Sequence, residues 1–310
     1  MIRENRIKSG YLLEIDFFPI FGNGRRVPSR APKANPSSAV QARYNRNQAT
    51  KKLIRLVNAN FDESDFYIHP TYRPSEEPDS AERARRDMNN YVRRVKRRIE
   101  SKKKEVEIEI TKVLAELETS PSPSGREKLQ KLKATRKELR KPFKYIYSIE
   151  KASKWHFHMF ISGCSLTKAE LAAIWGKGRL TGDKYNPSDF GPESAAAYMA
   201  KDPKGRKSFS YSQNLKKPKK LTPRDGFVTR GGLAKMAQTL EDDASYWEHK
   251  YKGYRFLRGY GRFNKYNNHW YLSVVMYKAD KSPPKWTIEP EDWLTNDFFL
   301  EEFENEKNTT

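Results

Sequence analysis

The sequence predicts an α+β protein. Two pairs of short apolar and aromatic segments are each separated by a few polar residues, the pattern of antiparallel β-hairpins: YIYSIE and WHFHMFIS across KASK, and GYRFLRGYGRF and HWYLSVVMYK across KYNN. Elsewhere apolar residues recur at spacings of three, four and seven, which is typical of amphipathic helices. With 310 residues the chain can bury a core, and we expect one main domain with appendages.

The first 72 residues predict two strands and one helix. Residues 10–20 have a strand pattern and could form a hairpin with the following turn, FGNGRR. A loop rich in Pro and Ser follows over 27–38, and a helical pattern begins at Ser38. Residues 65–72, DFYIHPTY, predict a strand that ends near Pro70, because proline cannot donate a hydrogen bond to a neighbouring strand.

A long helix is predicted from about residue 82 to 117, capped by Asp79 or Ser80. At 1.5 Å per residue it would be roughly 50 Å long, too long for a compact domain. SPSPSG interrupts the pattern and a second helix follows over 126–140. We therefore expect a projecting antiparallel helical hairpin, which is either an arm that contacts DNA or a partner, or a solvated insertion.

The remaining sequence predicts several shorter elements. Helices are expected over 166–176, from Pro192 in PESAAAYMAK, and over 232–250, and a strand is expected over 206–211. The last 22 residues carry eight acids and one lysine among aromatic residues. This acidic segment could dock a partner protein, cover a basic face of the same chain, or form a packed terminal helix.

These patterns divide the chain into four parts. The expected parts are an N-terminal extension (1–57), a central domain (58–220) with the helical hairpin inserted at about 81–141, a region of helix and β-hairpin (221–288), and the acidic segment (289–310).

The charge balance indicates a polyanionic partner. The chain has 61 basic and 39 acidic residues, a net charge of +22, and 17 Tyr, 16 Phe and 6 Trp. Cations follow phosphates while bases stack on aromatic rings, so nucleic acid is favoured over acidic lipid. GYRFLRGYGRFNKY combines both residue types and is either a nucleic-acid surface or an edge strand kept soluble by charge. The basic residues near the N-terminus either grip DNA or form a disordered leader: Arg3, Arg6, Lys8, Arg25, Arg26 and Arg30.

Other classes of protein are disfavoured. Cys164 is the single cysteine, which excludes an internal disulfide and a cysteine zinc site. We find no apolar run of 18 residues and no signal-peptide core, so we expect a soluble, cytoplasmic protein without a membrane partner.

The segment KWHFHMFISG carries two of the five histidines of the chain. Side chains alternate along a strand, so His156 and His158 share one face while Phe157 and Met159 face the core. If residues 152–154 form the hairpin loop, Glu150 lies opposite His156 on the histidine face. Two imidazoles and a carboxylate would bind Mn²⁺ or Mg²⁺. A shift of one residue in register would turn Glu150 away, and the two histidines would then be ordinary surface residues.

Forty residues downstream, Tyr198 and Lys201 stand three apart in a predicted helix and so share a face. A tyrosine hydroxyl directed at a phosphate held by a metal is a nucleophile that forms a phosphotyrosine ester and expels a 3′-hydroxyl. Lys201 would add positive charge at the phosphate or help ionise the phenol. The alternative is an amphipathic helix with Tyr198 packed and Lys201 solvated.

Taken in order, NANFDESDFYIHPTY, KYIYSIEKASKWHFHMFISG and PESAAAYMAKDPKGRKSFSYSQNLKKP resemble the three motifs of the HUH endonucleases, specifically rolling-circle replication initiators (Rep proteins). The resemblance spans about residues 58–217. It implies a ferredoxin-like (RRM-like) antiparallel sheet of about five strands with helices on one side, and nicking and rejoining of single-stranded DNA. Ser194 stands where two-tyrosine members carry a second nucleophile, so the resemblance implies a one-tyrosine enzyme. His69 either lies at the site or ends its strand.

The expected function is therefore nicking of a replication origin through a 5′-phosphotyrosine, which starts rolling-circle replication of a plasmid, phage or related mobile element. Expected partners are single-stranded or origin-hairpin DNA and a host helicase, since the chain has no GxxxxGK[ST] phosphate-binding loop. An HUH transposase remains an alternative, as does a conjugative relaxase, although relaxases tend to carry a third histidine in a longer cluster, which this chain lacks. A non-catalytic nucleic-acid-binding protein is the alternative from a different class.

Overall fold

The predicted α+β class is confirmed. The computed structural model describes residues 1–21, 39–151, 153–162, 165–188, 191–192, 195, 199, 209–265 and 267–285, with the backbone alone for 39–46. Over these residues the chain forms two antiparallel sheets and six α-helices. It divides into two compact units, here named the terminal unit (Met1–Asn60, Pro187–Ala197 and Lys216–Thr310) and the central unit (Phe61–Asn186 and Tyr198–Leu215). The segments predicted as N-terminal extension and C-terminal region thus fall largely in one unit.

The central unit contains a five-stranded sheet in the order β6-β3-β5-β4-β7, with antiparallel pairing throughout. Its strands are β3 (Phe66–Pro70), β4 (Tyr145–Lys151), β5 (Trp155–Ile161), β6 (Leu180–Lys184) and β7 (Ser210–Tyr211). Its helices are α2 (Ala81–Thr119), α3 (Pro123–Leu139) and α4 (Lys168–Trp175), with a short 3-10 turn at Pro74–Glu76.

One face of this sheet packs against the helices. Phe157 and Met159 on β5 contribute to a core that also contains Met88 and Tyr91 of α2 and Trp175 of α4. These apolar residues alternate with the histidines of β5, as the sequence predicted. The fold therefore leaves the histidines on the sheet face away from these helices.

The predicted helical hairpin is present as α2 and α3. Ser80 caps α2 by accepting a hydrogen bond from the backbone N–H of Arg83, and α3 begins at Pro123, three residues earlier than expected. Ion pairs join Lys128 to Glu109 at 2.5 Å and Arg136 to Glu107 at 3.4 Å, which fixes an antiparallel arrangement.

The terminal unit contains a six-stranded sheet in the order β10-β11-β2-β1-β8, with β9 also pairing with β1. Its strands are β1 (Ile2–Ser9), β2 (Leu12–Pro19), β8 (Lys219–Lys220), β9 (Arg224–Asp225), β10 (Tyr254–Asn264) and β11 (His269–Lys278). Its helices are α1 (Ala39–Asn60), α5 (Arg230–Thr239) and α6 (Ala244–Lys250). The predicted β10–β11 hairpin is confirmed.

The N-terminal residues differ from the prediction. Residues 2–9 form β1, which makes the hairpin with β2, so Arg3, Arg6 and Lys8 do not lie in a disordered leader, while Arg25, Arg26 and Arg30 lie outside the described residues. The sequence pattern did not predict this strand, because some of its inward-facing positions are polar. Buried Glu4 accepts a hydrogen bond from the Tyr251 hydroxyl at 3.0 Å and pairs with Arg6 at 3.3 Å. These partners satisfy a buried carboxylate that sequence patterns alone would place in solvent.

Two further elements were predicted incorrectly or missed. The single helix expected over 232–250 is two helices, because the Asp243 side chain caps a new helix by accepting a hydrogen bond from the backbone N–H of Tyr246 at 2.9 Å. Strand β6, LTGDK, has little strand propensity and contains Gly182 at a φ of +88°, yet it pairs along the whole of β3. In the described part of the chain, none of the helices is both long and apolar enough to span a membrane.

Candidate metal centre

The β4–β5 hairpin has the register on which the metal prediction depended. Glu150 pairs with His156, and Ser148 pairs with His158, so all of these side chains leave the sheet on one face. The opposite face of β5 carries Trp155 and Phe157, both in the core. The conditional placement of Glu150 opposite His156 is thus confirmed.

The three side chains converge on one point. The Nε2 atom of His158 lies 3.0 Å from Oε2 of Glu150, and Nε2 of His156 lies 3.3 Å from the same oxygen. One ligand atom from each residue lies within 4.8 Å of the other two. The Glu150 and His156 side chains are each 22% exposed, so a solute can reach them. These donors fit a divalent cation that keeps open positions for a substrate.

Hydrogen bonds on the far side of each ring orient the imidazoles. Nδ1 of His156 lies 3.2 Å from the backbone carbonyl of Lys154, which can only accept, so Nδ1–H donates and, in the neutral ring, Nε2 keeps its lone pair. Nδ1 of His158 lies 3.3 Å from the hydroxyl of Tyr67 on β3. That hydroxyl can accept from Nδ1–H, which would leave Nε2 of His158 available to a cation.

A third histidine lies beside the cluster. The ring of His69 on β3 is 5.0 Å from that of His158, centroid to centroid, and meets it edge to face. Tyr67 contacts His69 in the same manner at 4.6 Å. His69 therefore lies near the cluster, which answers the question that the sequence left open. Alternation along β3 puts Tyr67 and His69 on one face, but the pairing of β3 with β5 could not be predicted from spacing.

Burial favours the neutral form of these imidazoles. Burial, reinforced by the nearby His158 and His156, lowers the pKa of His69 to about 4. Burial also lowers the pKa of His158, assisted by His156 and opposed by Glu150. Both rings are neutral near pH 7, and the neutral imidazole is the form that binds metals.

The predicted nucleophile and its helper, Tyr198 and Lys201, lie outside the described residues, as do Ser194 and Cys164. Their roles stay predictions.

A second titratable cluster, in the terminal unit, was missed by the sequence analysis. Arg55 of α1 donates to both carboxylate oxygens of Glu14 on β2, with Nη2 2.6 Å from Oε2. Asp16, two residues along β2, accepts a hydrogen bond from the Ser273 hydroxyl at 2.6 Å. Lys51 of α1 is fully buried, and its burial lowers its pKa to about 7 against the attraction of Asp16 and Glu14.

The chain was compared with protein-family models, with curated proteins and with solved structures, and none of the three comparisons found a match. The functional argument therefore rests on the motifs and on the geometry of the site.

Proposed function

We propose that the protein is an HUH-type, metal-dependent endonuclease and strand transferase that nicks single-stranded DNA at a replication origin. The observation that carries this proposal is the convergence of His156, His158 and Glu150 on one point, where the Glu150 and His156 side chains are partly exposed. The order of motifs along the chain and the net charge of +22 add support.

We also propose a ferredoxin-like topology for the central unit. The strand order β6-β3-β5-β4 supports it, as do the crossover through α2 and α3 from β3 to β4 and the crossover through α4 from β5 to β6. In such a fold the histidine strand is central and flanked on both sides, which gives its side chains a fixed direction.

In the proposed reaction the Tyr198 oxygen attacks the phosphorus of one phosphodiester. The bond from phosphorus to the 3′-oxygen breaks, the 5′-phosphate stays on Tyr198, and the phenol proton is lost while the departing 3′-oxygen gains one. Mn²⁺ or Mg²⁺ bound by the histidines would polarise the phosphate and offset its charge in the transition state. Lys201 would stabilise the same charge or assist loss of the phenol proton.

The chain's own residues would prepare the site. Tyr67 and the Lys154 carbonyl hold the two imidazoles with Nε2 directed at Glu150. The attack frees a 3′-hydroxyl that a polymerase can extend, and we propose that a host helicase unwinds the duplex. A plasmid, phage or related mobile element would supply the origin.

A conjugative relaxase is the second candidate, and His69 favours it. The expectation that the chain lacks a third histidine holds for the HFH motif alone, because His69 lies beside His158. His69 is not among the three residues whose ligand atoms converge, so the replication initiator remains the preferred proposal.

The test is incubation of the protein with a pool of single-stranded oligonucleotides that includes origin-like hairpins, labelled at either end, with Mn²⁺ or with EDTA. We expect a Mn²⁺-dependent covalent adduct that carries the 3′-labelled fragment and is absent for Tyr198→Phe. The control variant Tyr211→Phe changes a tyrosine that is 40% exposed on β7 and should keep the adduct. Binding without an adduct across the pool would instead favour a non-catalytic nucleic-acid-binding protein.

A further inference from the structure

Two glycines and two arginines of strand β10, in the terminal unit, lie on opposite faces of the sheet. Gly259 and Gly261 pair with Val274 and Leu272, which belong to the core beneath α5 and α6. A Cβ at Gly259 would lie 1.9 Å from the backbone oxygen of Glu241, and one at Gly261 would lie 2.1 Å from that of Ala237. The two glycines are therefore required for the chain near α5 to lie against the sheet.

Because successive side chains of a strand point to opposite faces, the packing of the two glycines determines the face on which the intervening side chains lie. Arg258, Tyr260 and Arg262 pair with Val275, Ser273 and Tyr271, all on the face away from α5 and α6. We name these three residues the Arg-Tyr-Arg stripe. Its members stand about 7 Å apart from one to the next along the strand.

The stripe shares its sheet face with Glu14 and Asp16 of β2, which pair with Val275 and Ser273 and lie beneath α1. The stripe residues are half-buried, and β10 pairs only with β11 among the described strands, so the stripe lies at the edge of the sheet. None of the three is without a partner in the folded chain, so a ligand would share or exchange existing contacts. Guanidinium groups match phosphate oxygens in two-pronged hydrogen bonds, and a tyrosine ring offers a base a stacking surface.

We propose that the Arg-Tyr-Arg stripe binds single-stranded nucleic acid, with a base stacked on Tyr260 and phosphates contacted by Arg258 and Arg262. The alternation of cation, aromatic ring and cation matches the alternation of phosphate and base along a strand. A single strand is favoured over a duplex because stacking needs an exposed base face. The stripe belongs to the terminal unit, whereas the candidate metal centre belongs to the central unit.

The test measures binding of fluorescein-labelled dT20 to the full chain by fluorescence anisotropy in EDTA. Because no divalent ion is present, the result is independent of nicking, and loss of nicking would leave this proposal intact. We expect the triple variant Arg258→Gln/Tyr260→Ser/Arg262→Gln to weaken binding at least about tenfold. The slope of log K against log salt should become shallower by about 0.7 for each lost phosphate contact.

A matched control removes two positive charges elsewhere in the same unit. Lys235 on α5 and Lys252 before β10 are both exposed, and Lys235→Gln/Lys252→Gln should change affinity for dT20 no more than about twofold. A second pair of variants guards against misfolding of the triple variant. Tyr260→Phe should bind as the wild type does, and Tyr260→Leu, which keeps apolar bulk but cannot stack, should bind several-fold more weakly.

Equal affinity of the wild type, the triple variant and Tyr260→Leu for dT20 would overturn the proposal. A peptide of residues 289–310, with its eight acids, serves as the competing occupant. Binding of this peptide to the wild type alone, with dT20 bound equally by all variants, would overturn it in favour of the acidic segment.

Discussion

Each of the two sheets carries a cluster of titratable side chains on one face, and the two clusters differ in how their charges are balanced. In the terminal unit, charges of both signs meet: Glu14 pairs with Arg55, and Asp16 lies near Lys51. In the central unit, all three members, two imidazoles and one carboxylate, are groups that can donate an electron pair to a cation, and their donor atoms lie close together. In the first cluster the opposite charges offset one another within the chain, whereas in the second a cation would offset the donors of every member.

Exposure separates the two clusters in the same way. Glu14 and Lys51 are each 1% exposed, while Glu150 and His156 can be reached from solvent. The comparison teaches that a cluster of titratable groups is a candidate site when its members share one chemical role and remain accessible. A cluster of balanced charges sealed beneath a helix is better explained as part of the fold.

The largest expected effect on stability comes from removing Glu14 from the buried cluster of the terminal unit. Glu14→Ala leaves the buried Arg55 guanidinium without its carboxylate, which should lower the free energy of unfolding by about 3–5 kcal/mol. Urea denaturation measures this loss. The control Glu105→Ala removes a carboxylate that pairs with Arg98 at the surface and should have a far smaller effect, because solvent screens exposed pairs. Equal losses of unfolding free energy for the two variants would show that the Glu14–Arg55 pair contributes no more to stability than an exposed pair does.

A smaller effect, on Mn²⁺ affinity, is expected from a substitution beside the Glu150, His156 and His158 cluster. Tyr67→Phe removes the hydroxyl beside Nδ1 of His158 and should weaken Mn²⁺ affinity about 10- to 100-fold, the range typical of residues that orient metal ligands. Calorimetric titration gives the affinity. Tyr147→Phe is the matched control, because its hydroxyl contacts Asn89 and its ring packs in the core on the other face of the sheet. Unchanged affinity in Tyr67→Phe would remove Tyr67 from the site.

The smallest effect, taken over a single pH unit, is a dependence of stability on pH. The pKa of Lys51 is lowered to about 7 in the folded chain from 10.5, so between these values the unfolded chain binds the extra proton. Stability conferred by this position should therefore rise with pH across that window, by at most about 1.4 kcal/mol per pH unit, and be flat below it. Lys51→Met should lack this rise. Parallel curves of unfolding free energy against pH for the two proteins would contradict the assignment.

The sequence predicted what local patterns determine. Alternation along WHFHMFIS gave the two faces of β5, and the short KASK connection gave the pairing of Glu150 with His156. The break at Ser120–Gly125 gave the α2–α3 hairpin. In each case the residues that decide the structure are close together in the chain.

The remaining features depend on distant partners. Glu4 is buried because Tyr251, nearly 250 residues away, donates to it. Lys51, Arg55, Glu14 and Asp16 have ordinary surface composition, and only the packing of α1 on β2 seals them. Tyr67 and His69 lie beside the Glu150, His156 and His158 cluster because β3 pairs with β5 across the long α2–α3 insertion, a pairing that no local spacing encodes.

The most direct test of the account is a Mn²⁺ titration of the full chain followed by electron paramagnetic resonance. We predict one Mn²⁺ per chain in the wild type and a loss of affinity in His158→Ala beyond the roughly 100-fold that an orienting residue can cause. His249→Ala, which changes an exposed histidine on α6, should bind as the wild type does. If His158→Ala retains wild-type affinity for Mn²⁺, the Glu150, His156 and His158 cluster is not a metal site, and the proposed nickase loses its central support.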